Sequence, residues 1–479
     1  MKKRTVILVN PPADHYLGMK GGVGMKAVDT QRIPPLNILI LAAAIKQAGL
    51  PVEIIVKDYL VDHYQPEEFA NVIQSVKPLM VGLTSFSTSI YDLLKMSAVV
   101  KGTDPSVKVI VGGPHASLFP KETIAHEYVD YVCAGDGEKA ITMLIPALME
   151  ERNLNHIPNL WTKSGEGIRP PSVFDVVSLD NGPLVLPELN YLRLKGYSHP
   201  FLYNGTGLIP ILSGRGCPFA CTFCNSASKK PALRTPEEVA AEIEQHVKVS
   251  GVRNVFFIDD TFNLSLKRFY RMSEEILKRN IKISWAFRGR VDNINDETIR
   301  IAKASGLEHI TFGVEDVSDE GLRLLKKGVT INDALNAFAV CNKFNVKASA
   351  NFIIGLPHNQ GKETAESLFQ FIEKLNPVTI QTSVLMLIPG SELYGEAVKR
   401  GVITGREWAE YAQNPFQEWY VPGWEENSTL SEQFKIFISV NNKFYLRPRY
   451  LLSRMLETRN LREFFGKAKV GLNLLKYMK

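Results

Sequence analysis

The chain is poor in the features that would tie it to a membrane, a disulfide scaffold or a polyanion. Its longest apolar run spans residues 34–45, well short of the roughly 20 residues a membrane-spanning helix needs. It has five cysteines in 479 residues: Cys133, Cys217, Cys221, Cys224 and Cys341. An odd count with three members clustered excludes a disulfide framework and fits a reducing cytoplasm and a metal site. Charge is nearly balanced, 56 Lys and Arg against 50 Asp and Glu for a net +6, so no nucleic-acid partner is expected. No G-x-G-x-x-G follows the first apolar run, and Gly21-Gly-Val-Gly24 has the wrong form, which argues against a nicotinamide dinucleotide. The basic start, Met1-Lys-Lys-Arg4, leads into a short apolar stretch and then Asn10-Pro11-Pro12. It reads as a first strand rather than a signal peptide.

What remains is ordinary globular material, 45% hydrophobic and 22% charged, long enough for several domains. Short apolar runs at 5–9, 52–56, 79–83, 107–111 and 129–133 alternate with helical patterns near 36–48, 66–76, 90–100 and from about 138. Continuous apolar strands between helices predict a doubly wound, Rossmann-like parallel sheet over 1–150. Such sheets take ligands at the carboxyl ends of their strands. Here those ends carry Asn10-Pro11, Thr84-Ser85-Phe-Ser87, Gly112-Gly113-Pro-His115 and Gly135-Asp-Gly137-Glu138. They are either a ligand edge or plain turns.

Residues 151–205 are proline-bearing (Pro158, Pro170, Pro171, Pro183, Pro187, Pro200) and read as a linker. Strands at 208–212, 254–258, 284–288, 309–314, 347–353 and 379–386 then alternate with helices at 236–249, 267–278, 296–304, 332–342 and 362–375. Thr235-Pro-Glu-Glu238 is a strong helix start. Six strand–helix repeats predict an open, partial (β/α)6 TIM-like barrel over 206–420, with active residues at the strand C-termini. An aromatic cluster follows (Trp408, Tyr411, Phe416, Trp419, Tyr420, Trp424), then a helical, basic extension over 421–479 with Arg447, Arg449, Arg454, Arg459, Arg462, Lys467, Lys469, Lys476 and Lys479. That extension is either a solvated face or a lid for an apolar substrate or membrane surface.

The densest chemistry is Cys217-Pro-Phe-Ala-Cys221-Thr-Phe-Cys224, just after the first strand of the second repeat. A loop this short turns three thiols toward one small inorganic cluster. Three thiolates on a four-iron cluster leave one iron open, as catalytic metal sites leave a position open. Cys133, in a strand, and Cys341, on a helix, read as small buried thiols.

Cys217-x3-Cys221-x-Phe223-Cys224 resembles the signature of the radical S-adenosylmethionine superfamily. The resemblance implies a [4Fe-4S] cluster on the three cysteines and reductive cleavage of S-adenosylmethionine to a 5'-deoxyadenosyl radical. It places Phe223 by the adenine and makes Asp260, Arg288, Glu315, Gly355 and Pro389, at the later strand ends, candidates for S-adenosylmethionine binding. The plain alternative for the charged ones is a salt bridge at the barrel mouth. Asn10-Pro-Pro12, Pro34-Pro-Leu36, the 112–117 and 135–138 loops and Lys443-Phe-Tyr-Leu-Arg-Pro448 resemble the cobalamin-binding group of that superfamily. That group includes class B methylases and the anaerobic magnesium-protoporphyrin ester cyclase. This second resemblance implies cobalamin contacts at Asn10, Pro11, Thr84, Ser85, Ser87, Gly112, Gly113, His115, Gly135, Gly137 and Glu138. One departure is plain: Asp14-His15-Tyr-Leu-Gly18 lacks the D-x-H-x-x-G spacing that supplies a lower histidine ligand. His115 reads as a loop histidine. The implied activity is methylation of an unactivated carbon or phosphinate centre. Radical cyclisation, rearrangement or carbon–carbon coupling, and a corrinoid or redox sensor, are the alternatives. The implied partners are a small-molecule or lipid-like substrate and a flavodoxin- or ferredoxin-type electron donor. The residue that acts on substrate is not assigned.

Overall fold

β1 (Arg4–Asn10) is buried along its last six residues, as a strand covered by helices on both faces must be. It lies between β2 (Val52–Asp58) and β3 (Met80–Thr84), in a sheet of order β2-β1-β3-β4-β5-β6-β7. β4 (Lys108–Gly112) and β5 (Tyr131–Cys133) continue it in parallel. The connecting helices are α1 (Leu36–Gln47), α2 (Pro66–Val76), α3 (Ile90–Thr103), the short α4 (Pro114–Leu118) and α5 (Pro120–Ala125), and α6 (Glu138–Met149). Ile38, Ala42 and Ile45 of α1 and Ile141, Leu144 and Ile145 of α6 pack with Val6 and Leu8 in one core. The computed structural model describes residues 4–15, 17–20, 32–165, 167–175, 188–225, 230–361, 363–448 and 450–452. It divides into two compact units.

The boundaries of the first unit correct the expected ones. Met1–Leu17, Arg32–Tyr197 and Arg406–Trp419 cluster together. Residues 151–205 are therefore not a bare linker. β6 (Leu160–Ser164) and β7 (Gly167–Arg169) extend the first sheet antiparallel. An edge hairpin of three- and five-residue strands leaves too little period to read in sequence. At the end of this stretch the Tyr197 hydroxyl donates to Asp58 Oδ2 (2.6 Å), and Asp58 Oδ1 accepts from Asn10 Nδ2 (2.8 Å). The 406–419 segment, expected in the barrel, packs instead on the first unit.

The second unit carries six parallel strands in sequential order: β8 (Ile209–Ile211), then β11 (Asn254–Phe257), β12 (Ser284–Gly289), β13 (Leu307–Glu315), β14 (Lys347–Ile354) and β15 (Ile380–Val384). Between β8 and β11 lie a two-stranded antiparallel ribbon, β9 (Gly214–Arg215) with β10 (Ala232–Leu233), and α7 (Pro236–Ser250). The Thr235 side chain accepts from Glu238 N–H, as the sequence predicts. α8 (Leu266–Lys278), α9 (Asp296–Ala304), α10 (Asp319–Leu324), α11 (Ile331–Lys343), α12 (Thr364–Leu375) and α13 (Glu392–Lys399) complete the repeats. The helix Leu430–Tyr445 seals the last strand: Tyr445 OH donates to Ile380 O (2.5 Å) and Asn441 Nδ2 to Thr382 Oγ1 (2.6 Å). Among the described residues no helix is long and apolar enough to cross a membrane. Gly21–Gly24, Pro183, Pro187 and the basic residues from Arg454 onward lie outside the described residues, as does the side chain of Arg449.

Residues 198–205 supply an aromatic floor to the barrel. Phe201 stacks on His309 at 4.0 Å, His199 lies 5.3 Å from His309, and His309 Nε2 meets Ser349 Oγ at 2.7 Å. Both histidines are buried, and neither His199 Nε2 nor His309 Nδ1 has a hydrogen-bond partner. Burial, reinforced by the Arg288 charge, pushes His199 down to about 3. His309 is pushed down by burial, by His199 and by the Lys347 and Arg288 cations. A histidine whose pKa falls on folding takes up its proton only when the chain unfolds. Stability is therefore lost as pH drops from about 6.5 toward the folded pKa, by about 1.4 kcal/mol per pH unit for each histidine. The melting temperature is expected to fall between pH 7 and pH 5. His199→Gln should reduce that fall, and an equal fall in both proteins would contradict this reading.

Candidate functional site

The cysteine loop leaves the carboxyl end of β8 and is fixed at both ends before it reaches the thiols. Gly214-Arg215 pairs with Ala232-Leu233, so the β9–β10 ribbon closes the loop as a staple. Beneath it Asp259, buried just beyond β11, accepts from Ser213 N–H (2.7 Å) and binds the Ser213 hydroxyl. Arg268 Nη2 donates to Ser213 O (2.9 Å) and Arg234 O (3.2 Å). Arg234 in turn forms a buried ion pair with Glu242 (2.6 Å) and donates to Leu212 O (2.9 Å). Burial pushes Asp259 up to about 6, against the pull of Ser213 and of the Arg268 charge.

Within the loop, Gly216 N–H donates to Asp260 Oδ2 (3.1 Å), and Cys217 Sγ lies 3.6 Å from Thr261 Oγ1. Gly216 has φ +85°, a conformation open to glycine at little cost, so the chain can turn sharply into the first cysteine. Cys217 and Cys221 are half-buried, Cys224 is exposed, and all three thiols are free. Thr222 N–H donates to Leu325 O (3.0 Å) and Thr222 O accepts from Leu393 N–H (2.9 Å), which ties the loop to the ends of α10 and α13. Phe223 packs against the apolar cluster of Leu325, Leu356, Leu385, Leu387, Leu393 and Trp424.

Two cations face this loop. Arg290 lies over the Phe219 ring at 3.7 Å, and Lys327 over the Phe223 ring at 5.7 Å. Burial pushes the Cys221 thiol up, while Lys327 and Arg290 pull it down. Among the described residues no three His, Cys, Asp or Glu side chains converge on one point as a single tetrahedral ion requires. A multi-iron cluster is larger and takes its thiolates further apart. Three thiols on one pinned loop, with cations to balance an anionic cluster, fit that group.

The expected S-adenosylmethionine residues fall into two sets. Asp260, Arg288 and Glu315 sit at the carboxyl ends of β11, β12 and β13, with Asp260 and Arg288 exposed. Glu315 has φ +74°, a strained setting for a non-glycine residue, and its carboxylate pairs with Lys327 Nζ at 3.0 Å. A Cβ on Gly313 would meet that carboxylate and the Lys327 ammonium, so a side chain there would displace the pair. Charges of both signs at one strand end suit a zwitterionic amino acid group. Gly355 and Pro389 bring no polar side chain and are held by contacts within the protein. Gly355, at φ +81°, is buried under Gln433, and Pro389 O accepts from Asn225 Nδ2 (3.2 Å) beside the third cysteine. Sequence reasoning missed Lys327, Asp259 as an anchor, Arg290 and Thr261. Only the Asp259-Asp260 pair carried a signal, since buried lysines look like any other in sequence.

On the first unit the expected cobalamin residues gather at the carboxyl edge, in different states. Asn10, Ser85 and His115 are buried and engaged within the protein. Ser85 Oγ donates to Gly112 O (2.8 Å) and accepts from Ala116 N–H (3.2 Å). Thr84 accepts from Asn37, and Pro11 is buried. His115 Nδ1 meets Ser87 Oγ at 3.0 Å, while its Nε2 is buried without a partner. Burial pushes His115 down to about 3. His115 lies in the first turn of the short helix α4 rather than in the loop expected from sequence. Gly113, at φ +97°, has no room for a Cβ, which would lie 2.7 Å from Ser85 O. Gly112, Gly135 and Gly137 leave the edge bare of side chains, and Gly135 N–H donates to Ser117 Oγ (2.9 Å). Glu138 opens α6. The glycines leave room along this edge for a broad flat group such as a corrinoid.

Residues 211–390 match the model of the radical SAM superfamily, and residues 22–145 that of the B12 binding domain. An uncharacterized methyltransferase of Pyrococcus horikoshii is 28% identical over 464 residues, covering 95% of this chain and 96% of that protein. An anaerobic magnesium-protoporphyrin IX monomethyl ester cyclase of Rubrivivax gelatinosus is 25% identical over 373 residues, covering 76% of this chain and 66% of the cyclase. The solved radical S-adenosylmethionine methyltransferase TsrM of Kitasatospora setae shares the fold, with TM-score 0.66, 20% identity, and coverage of 83% of this chain and 76% of that one.

Asp259→Ala leaves Arg268 without its buried counter-charge and frees Ser213. The expected cost is about 3 kcal/mol in denaturant unfolding, with fewer irons retained per chain after reconstitution. Unchanged iron content would show that the anchor does not position the loop.

Proposed function

Because the chain belongs to the radical SAM proteins that carry a B12-binding domain, we propose that it is a cobalamin-dependent methyltransferase. Its substrate is a small molecule with an unactivated carbon or phosphinate centre. The observation that carries this reading is the cysteine loop, stapled at the first strand end of a six-strand parallel sheet, in a chain that also has a corrinoid-type edge. The alignment with a methyltransferase along 95% of the chain supports the choice of reaction.

When bound, the cluster and S-adenosylmethionine supply a carbon-centred radical, and cobalamin supplies a methyl carrier. The protein's part is to hold and orient. Cys217, Cys221 and Cys224 hold the cluster, while Asp259 and the β9–β10 ribbon fix their loop. Glu315 and Lys327 orient the amino acid end of S-adenosylmethionine, and Phe223 packs near its base. Asp260 and Arg288 line the strand ends. An external flavodoxin- or ferredoxin-type protein supplies electrons, and the cytoplasm is the fitting compartment. Peripheral membrane contact through the basic end of the chain belongs to the same proposal.

The cyclase relative favours a second reading, ring formation on a small molecule. Anaerobic reconstitution with S-adenosylmethionine and a reductant separates the two. Methyl transfer is expected to yield S-adenosylhomocysteine together with 5'-deoxyadenosine, both read by mass spectrometry. Cyclisation would yield 5'-deoxyadenosine alone. Cys221→Ala is expected to abolish cleavage, and cleavage that survives it would overturn the assignment of the loop.

A further inference from the structure

The segment Arg406–Trp419, which follows all six barrel strands in sequence, packs on the first unit at one place. The Tyr411 hydroxyl donates to Ser87 O (3.1 Å), and its ring meets the His115 ring edge-on at 6.5 Å. Trp408 lies parallel to Phe119 at 6.5 Å, and His126 Nε2 contacts Ala412 O at 2.8 Å. Trp419 stacks on Tyr411 at 4.4 Å, and its indole N–H donates to Glu407 O (2.9 Å). Each partner outside the segment lies in the chain that follows β3 or β4. Trp408, Tyr411 and Ala412 are buried there.

A second row of rings crosses the same edge. His15, beyond β1, stacks on Tyr91, beyond β3, at 3.9 Å. Tyr91 meets Phe416 at 5.1 Å. β1 and β3 are neighbours in the sheet although β2 lies between them in sequence. The crevice above them is the topological switch point, where doubly wound sheets of this order take a cofactor. Two large aromatic side chains beyond the strands stay open to solvent: Phe416 is 53% exposed and Phe86, beyond β3, is 50% exposed. Exposed aromatic faces at a ligand crevice mark a binding surface for a flat, largely apolar partner.

We propose that Arg406–Trp419 completes the corrinoid site of the first unit, Phe416, propped on Tyr91, forming an aromatic ledge for the macrocycle and Tyr411 fixing the Ser87–His115 pair. This rests on the reading of that unit as corrinoid-binding. The B12 binding domain match ends at residue 145, so part of the site comes from the far end of the sequence. The open ring of the ledge is that of Phe416, since Tyr91 carries His15 at 3.9 Å and the Lys95 ammonium at 4.3 Å.

The test is a titration of aquacobalamin into the full-length, cluster-reconstituted chain, followed by its visible spectrum, with iron content measured on the same samples. Phe416→Ala is expected to bind about ten-fold more weakly, the scale of one lost aromatic contact. Tyr411→Phe keeps the rings, loses the bond to Ser87, and is expected to bind about three-fold more weakly. Val249→Ser, at an apolar position 67% exposed on the second unit, should bind as the parent does. Iron content should be the same in all four proteins. If the parent binds cobalamin and Phe416→Ala matches it, the ledge is wrong while the corrinoid reading stands. If Val249→Ser weakens binding as much as Phe416→Ala, the loss is unspecific and the ledge is wrong too. If the parent binds none, the ledge and the corrinoid reading fall together.

Discussion

The contact between Asp259 and Ser213 is the one on which the geometry of the cysteine loop depends. A carboxylate with no solvent is costly unless every lone pair is used. Asp259 uses its oxygens on the Ser213 amide and hydroxyl, with Arg268 close by. Its position just beyond β11 is set by the strand, which is buried along its whole length. The core of the barrel therefore fixes Asp259, Asp259 fixes Ser213, and Ser213 starts the ribbon that closes the loop. The chain invests several buried charges here, with Arg234 and Glu242 pairing alongside. A merely structural turn would not need them.

The same logic shapes the strand end at Glu315. A glutamate with positive φ is held against its conformational preference, and the Lys327 pair helps hold it. Strain kept in place by surrounding contacts marks a preorganised position. On the first unit the edge is built the other way. Several polar side chains there (Asn10, Ser85, His115) turn inward, and the surface includes glycines and the exposed rings of Phe86 and Phe416. A charged, preorganised strand end suits a small zwitterion, and a bare, aromatic edge suits a broad flat one.

Both sheets were legible from sequence because parallel strands covered on two faces must be continuous apolar runs, and the helices between them carry caps such as Thr235. Strand ends moved by one or two residues, as at Lys347–Ile354 and Ile380–Val384. The β6–β7 hairpin was not legible, since an edge strand needs no apolar run. The destination of Trp408, Tyr411 and Phe416 was not legible either. An aromatic cluster announces that it will be buried or will bind, and not which core it joins. The three cysteines were readable as a group because their spacing is local. Lys327, Asp259 and Arg290 were not, because their roles come from contacts made across the fold.

The central claim is that three thiolates leave one iron of a four-iron cluster open to S-adenosylmethionine. Electron paramagnetic resonance of the reduced, reconstituted chain tests it directly, with spectra taken before and after S-adenosylmethionine is added. Ligation at an open iron changes the cluster's signal, and the account requires that change in the parent chain. A cluster spectrum that stays the same at saturating S-adenosylmethionine would contradict it.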